Sequence, residues 1–111
     1  MSARNFLFVC SQNKLRSPTA EHVFADHPGM HTLSAGTNHD AEEPLSDELV
    51  EWADLIFVME RTHRNKLRSK HRAALKDKRV ITLDIPDEYD FMDPKLIALL
   101  KAKMARWLPQ A

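Results

Sequence analysis

The stretch FLFVCSQNKLRSPTAE, residues 6 to 21, changes character twice. Phe6 to Val9 is a short continuous apolar run, of the length and kind that makes a strand buried on both faces. Cys10 follows, then the polar Ser11, Gln12, Asn13 and Lys14, then Leu15, Arg16 and Ser17. Pro18 comes next, where the first turn of a helix tolerates it, and Thr19, Ala20 and Glu21 continue that helix. The order predicts strand, loop and helix, with the only cysteine of the chain at the carboxyl end of the strand.

The same alternation repeats outward from this unit. Leu55 to Met59 and Val80 to Leu83 are further apolar runs of strand length, and His31 to Ser34 is a weaker one. Ser46 is placed to cap a helix over Asp47 to Ala53, whose acidic residues suit its N-terminus. Thr62 is placed to cap a long basic helix ending near Lys76. Asp93 and Pro94 open a last helix whose Leu96, Ile97, Leu99, Leu100, Met104 and Leu108 recur at spacings of three and four. Strands alternating with helices predict an α/β fold: a four-stranded parallel sheet with right-handed crossovers and helices on both faces, in three layers. Ligands of such sheets bind beyond the carboxyl ends of the strands, where Cys10 lies.

A chain of 111 residues has the length of one domain, taken as 1–111. Lys+Arg and Asp+Glu each total 16, so bulk charge gives no argument for nucleic acid or membrane as a partner. The charges are unevenly spread: every charged residue from Asp40 to Glu60 is acidic, and from Arg61 to Arg79 all but Asp77 are basic. Two solvated helix faces are the expected explanation. The basic stretch contains no aromatic residue on which a base could stack. One cysteine excludes an internal disulfide framework and suits a reducing, cytoplasmic compartment. No signal peptide is visible and no apolar run approaches a membrane span. The six histidines show no ligand spacing, and neither metal nor cofactor is expected. Trp52 and Trp107 have apolar neighbours and read as core or core-edge residues.

The residues from Cys10 to Arg16 suit the wrapping of a tetrahedral oxyanion. Backbone amides of Ser11, Gln12, Asn13, Lys14 and Leu15 would point inward, and the helix that follows directs its positive end to the same place. That field favours an anionic sulfur, which is the nucleophilic form. Arg16 can hold two phosphoryl oxygens at once with its planar fork. The Ser17 hydroxyl is expected to hydrogen-bond to the thiolate and later help it leave. The loop has no glycine, so Asn13 is the residue best able to take the positive φ that a tight anion-binding turn needs.

These residues resemble the low-molecular-weight protein tyrosine phosphatases. That family carries Cys, five residues, Arg, then Ser or Thr between its first strand and first helix, and here Asn13 and the SPTAE opening match as well. LSAGT, Leu33 to Thr37, is a second match, and Val58-Met59-Glu60 is similar to a family strand ending in Met-Asp. The resemblance implies a flavodoxin-like architecture and hydrolysis of phosphotyrosine-type phosphoproteins or aryl phosphates through a phosphocysteine. It implies that Ser34 joins the hydrogen bonds that fix the loop, that Asp87 is the general acid with Asp90 as substitute, and that Tyr89 forms a substrate wall.

The sequence departs from the family in four respects. It is short, with the shortage between Thr37 and Pro44; Lys14 and Leu15 replace an apolar residue and a frequent second cysteine; and Glu88 replaces the proline after the acid. Without a second thiol, oxidised Cys10 has no neighbour to rescue it. Two alternatives stand beside hydrolysis: a non-catalytic module that binds phosphate or phosphoprotein, and arsenate reduction with an external thiol. A phosphocysteine carrier shares the architecture, but Arg16 argues for hydrolysis.

Overall fold

The first strand, β1 (Arg4–Cys10), lies between two parallel neighbours in a computed structural model that describes residues 3–109. The helix α1 (Arg16–Phe24) follows, then β2 (Met30–Gly36), α2 (Asp47–Trp52), β3 (Leu55–Val58), α3 (Arg61–Lys70), β4 (Arg79–Thr82) and α4 (Pro94–Met104). The strand order is β2-β1-β3-β4 and every pairing is parallel. From β1 the chain winds to β2 on one side and to β3 and β4 on the other. The crevice that this reversal opens lies beyond the carboxyl ends of β1 and β3, and Cys10 stands at its edge.

Alternate residues of β1 serve opposite layers, because successive strand side chains point to opposite faces. Phe6, Phe8 and Cys10 pack with Ala20 and Phe24 of α1 and with Leu96, Leu100 and Met104 of α4. Leu7 and Val9 pack with Val50 of α2 and Leu67 of α3. Rings of Phe6 and Phe8 each stack on Phe57 of β3 at 5.6 Å, contacts that add about 0.5–1.5 kcal/mol apiece beyond area burial. Trp107 joins the first layer and Trp52 the second, both partly buried.

Several helix ends follow the sequence. Ser46 accepts the Leu49 amide and Asp93 accepts the Lys95 amide, as their placement predicts. The start of α3 differs. Thr62 lies inside the helix, and the cap is Glu60, in a reciprocal box with His63. Its end differs too. His71 leaves the helical conformation at φ −127° and ψ 34°, so α3 closes at Lys70 and turns, with Asp77 at φ 65°, fill the remainder up to β4. No helix of the described residues is long and apolar enough to cross a membrane.

Candidate active site

The cysteine loop is built from the outside inward. Its carbonyls are taken by the segment after β2: Thr37 N–H donates to Cys10 O at 2.8 Å, Asn38 to Ser11 O at 3.0 Å and Glu42 to Gln12 O at 3.1 Å. A peptide unit is planar and trans, so a carbonyl held outward turns the next amide inward. Gln12 to Leu15 donate no backbone amide to any acceptor among the described residues. The short segment from Thr37 to Glu42 is therefore a brace for the loop. Gly36 makes room for it, since a Cβ there would collide with the Ser11 carbonyl oxygen and stand 2.5 Å from Ala41 Cβ.

Asn13 is buried at φ 58°, the left-handed conformation expected of it. Its Nδ2 donates to Ser17 Oγ at 2.9 Å, and Ser17 Oγ lies 2.9 Å from Cys10 Sγ. Both Ser17 and Cys10 are buried.

Arg16 is buried too, and its guanidinium is anchored by one corner. Nη1 donates to Glu60 Oε2 at 2.6 Å and to the Ile85 carbonyl at 2.7 Å. Nε and Nη2 make no hydrogen bond among the described residues, and the edge they form matches two oxygens of a phosphoryl group. Asp87 Oδ1 stands 3.7 Å from Nε, on a side chain about two-thirds exposed. The loop bearing Asp87 is tied down at both ends, because Ile85 N–H donates to Met59 O at 2.9 Å and Met92 N–H to Thr19 Oγ1 at 2.9 Å.

Together Cys10, Ser11, Gln12, Lys14, Leu15, Arg16 and Asp87 line a cavity of about 220 Å³. Larger hollows exist, about 610 Å³ beside His31 and Trp52 and about 400 Å³ beside Arg68 and Lys78, but neither is lined by the cysteine. Lys14 and Leu15 are exposed at the rim of the small one.

Two residues placed by resemblance lie elsewhere. Ser34 hydrogen-bonds Glu21 of α1 at 2.5 Å and makes no described bond to the loop, so it braces β2 against the helix. Tyr89 packs, half buried, against the core beside α1 and α4 and does not line the cavity. Leu15 is the apolar residue at the rim. Asp90 does not line the cavity either.

Three contributors had no role assigned from the sequence, although Gly36 and Glu60 lie in matched stretches: Gly36, Glu60 and His63. Glu60 N–H donates to His63 Nδ1 at 3.0 Å, which makes that nitrogen the acceptor and leaves the ring proton on Nε2. His63 Nε2 then donates to Ser11 Oγ at 2.9 Å. Burial, and next the positive charge of Arg16, lower the His63 pKa from 6.5 to about 4, so the ring is neutral near pH 7. A Met-Glu-x-x-His run after a strand is the signal that could have been noticed.

The same architecture occurs in solved structures. The tyrosine phosphatase Wzb from Escherichia coli K30, in complex with phosphate, superposes with a TM-score of 0.73 at 21% identity, over 95% of this chain and 96% of that one. This chain has the fold of the low-molecular-weight protein tyrosine phosphatases. YwlE arginine phosphatase from Geobacillus stearothermophilus shares this phosphatase fold with a TM-score of 0.64 at 25% identity, over 93% of this chain and 84% of that one. A probable low molecular weight protein-tyrosine-phosphatase, EpsP of Ralstonia nicotianae, is 25% identical, covering 96% of this chain and 95% of its own length. That alignment runs over 141 residues against 111 here, in keeping with a short version of the phosphatase fold. No protein-family model matches the chain. The resemblance read from the cysteine loop thus extends along nearly the whole chain.

Proposed function

We propose that the chain is a metal-independent phosphomonoesterase that hydrolyses phosphotyrosine-type phosphoproteins or aryl phosphates through a phosphocysteine. The observation that carries this reading is the convergence on one small cavity of Cys10 with its Ser17 partner, the free edge of Arg16, and Asp87 at the mouth. The Cys10 thiolate attacks phosphorus in line as the bond to the leaving oxygen breaks, and Asp87 gives that oxygen its proton. Arg16 and the inward amides hold the three equatorial oxygens. Asp87, now a carboxylate, takes a proton from water as the water attacks phosphorus. The sulfur leaves as thiolate, helped by the Ser17 hydroxyl, and inorganic phosphate departs.

Lys14 at the rim argues for an aryl ester over a phosphorylated guanidinium, because a second cation would be repelled there. Arsenate reduction would need a thiol this sequence lacks, and a lone reduced cysteine is in keeping with a cytoplasmic setting. The test is turnover of p-nitrophenyl phosphate, O-phosphotyrosine peptide and phosphoarginine, each beside Cys10→Ser. Hydrolysis of the two aryl esters, abolished by Cys10→Ser, is the expected result. Binding of phosphate without turnover of any of the three would favour a phosphate-binding module instead.

A further inference from the structure

A capping box ordinarily closes on itself: the cap side chain takes the third amide of the helix, and the third side chain takes the cap amide. At the start of α3 each partner also reaches outward to the phosphate loop. The Glu60 carboxylate, besides accepting from the His63 amide, accepts from Arg16 Nη1 at 2.6 Å. The His63 ring, besides accepting from the Glu60 amide, donates to Ser11 Oγ at 2.9 Å. Ser11 is the residue directly after Cys10, and Arg16 closes the loop.

We propose that the Glu60–His63 capping box is the clamp of the phosphate loop, His63 holding its first residue through Ser11 and Glu60 holding its last through Arg16. Entry into α3 and assembly of the oxyanion site are then one structural event. His63 is a positioning residue in this scheme: it acts through Ser11 and need not touch the substrate.

The ring has to be neutral to do this. A proton on Nδ1 would face the Glu60 amide, donor against donor, and break the box. The charged groups around it are Glu60 on its own helix start, Lys66 one turn on, Arg16 from the loop and Asp87 from the acid loop. The two cations and the burial of the ring outweigh the two carboxylates in keeping it uncharged. His63 is 1% exposed, and a hydrocarbon would fill its space. Packing alone therefore does not require an imidazole, whereas the bond to Ser11 requires an N–H at the Nε2 position.

The inference rests on the phosphate-loop reading, and its test uses binding so that it can be judged apart from turnover. Orthophosphate affinity is measured by titration calorimetry, beside p-nitrophenyl phosphate kinetics, for wild type, His63→Leu, His63→Gln, Ser11→Ala and the Ser11→Ala/His63→Leu pair. Loss of the single bond is expected to weaken orthophosphate affinity about tenfold in either single variant. The double variant should be no weaker than the singles, because both remove the same bond. Glutamine can present an N–H where Nε2 stands, and should recover most of what leucine loses. If His63→Leu does not fold, Ser11→Ala and His63→Gln carry the comparison. Wild-type affinity in Ser11→Ala, additive losses in the pair, or a glutamine variant as weak as the leucine one would overturn the clamp. A wild type that binds orthophosphate with this pattern yet hydrolyses nothing would remove the phosphatase reading and leave the clamp in place.

Discussion

Ser17 Oγ lies 2.9 Å from Cys10 Sγ, and both atoms are buried. Asn13 Nδ2 donates to the same hydroxyl oxygen at 2.9 Å, and an ionised sulfur, which can only accept, would take the Ser17 proton as its donor. The proposed mechanism gives this hydroxyl the task of assisting the sulfur, and removing it tests that task. Ser17→Ala is expected to slow alkylation of Cys10 by iodoacetamide about tenfold near neutral pH, with the circular dichroism spectrum unchanged. Equal alkylation rates would mean the hydroxyl has no part in activating the sulfur.

Asn13 has two separable duties, a backbone conformation and a side-chain bond. Asn13→Ala loses both, and a positive φ costs an ordinary residue about 1–2 kcal/mol. Asn13→Gly keeps the conformation and loses only the amide. Urea denaturation should therefore rank glycine above alanine in stability, while kcat falls in both. Full activity in the glycine variant would assign the residue to backbone geometry alone.

Gly36 meets the loop so closely that a methyl group cannot be added without moving it. The added carbon would overlap the Ser11 carbonyl oxygen and lie 2.5 Å from Ala41 Cβ, so Gly36→Ala must push the brace and the loop apart. A stability loss of about 1–3 kcal/mol is expected, together with a raised KM for p-nitrophenyl phosphate. An alanine variant with native melting temperature and KM would show that the brace yields freely.

Asp87 is tested by the leaving group. A phenolate that departs readily needs little protonation, and a more basic one needs the acid. Asp87→Asn should lower kcat for phenyl phosphate by about a hundredfold or more, and for p-nitrophenyl phosphate by less. Asp90→Asn, altering a residue outside the cavity, should leave both rates near wild type. The opposite ranking of the two variants would move the acid to Asp90.

His63 makes stability depend on acidity. Its pKa is lowered to about 4 in the folded chain, and unfolding restores the ordinary value of about 6.5. Between those values the unfolded chain holds a proton that the folded chain refuses, so stability is full above about pH 6.5 and falls as pH drops toward 4. The loss is of order 3 kcal/mol over that window and ceases below it. Urea midpoints measured across the window should show this slope in wild type and a flatter one in His63→Gln. Identical slopes would mean the ring titrates normally.

The parts legible in the sequence were those set by neighbours along the chain. The strand, loop and helix around Cys10, the left-handed Asn13, and the caps at Ser46 and Asp93 all rest on local preference. What was hidden depends on residues far apart in sequence. Glu60 displaces Thr62 as the cap, although threonine has the better intrinsic preference, because Arg16 and His63 share its carboxylate. Tyr89 and Ser34 match the family by position, yet the core and Glu21 respectively are their partners here. The basic stretch is similar: Lys66 reaches Asn38, His71 pairs with Asp47 at 2.7 Å, and Lys78 takes the Glu51 and Ala53 carbonyls at the end of α2. Much of what reads as a solvated basic face ties α3 and its following turn to the acidic segment before it.

The most direct trial of the whole account is rapid quenching of the enzyme during turnover of an aryl phosphate, followed by mass spectrometry of the peptide that contains Cys10. One phosphoryl group on the Cys10 sulfur, accumulating further when Asp87→Asn slows its hydrolysis, is the expected result. Steady turnover with an unmodified Cys10, persisting in Cys10→Ala, would contradict it.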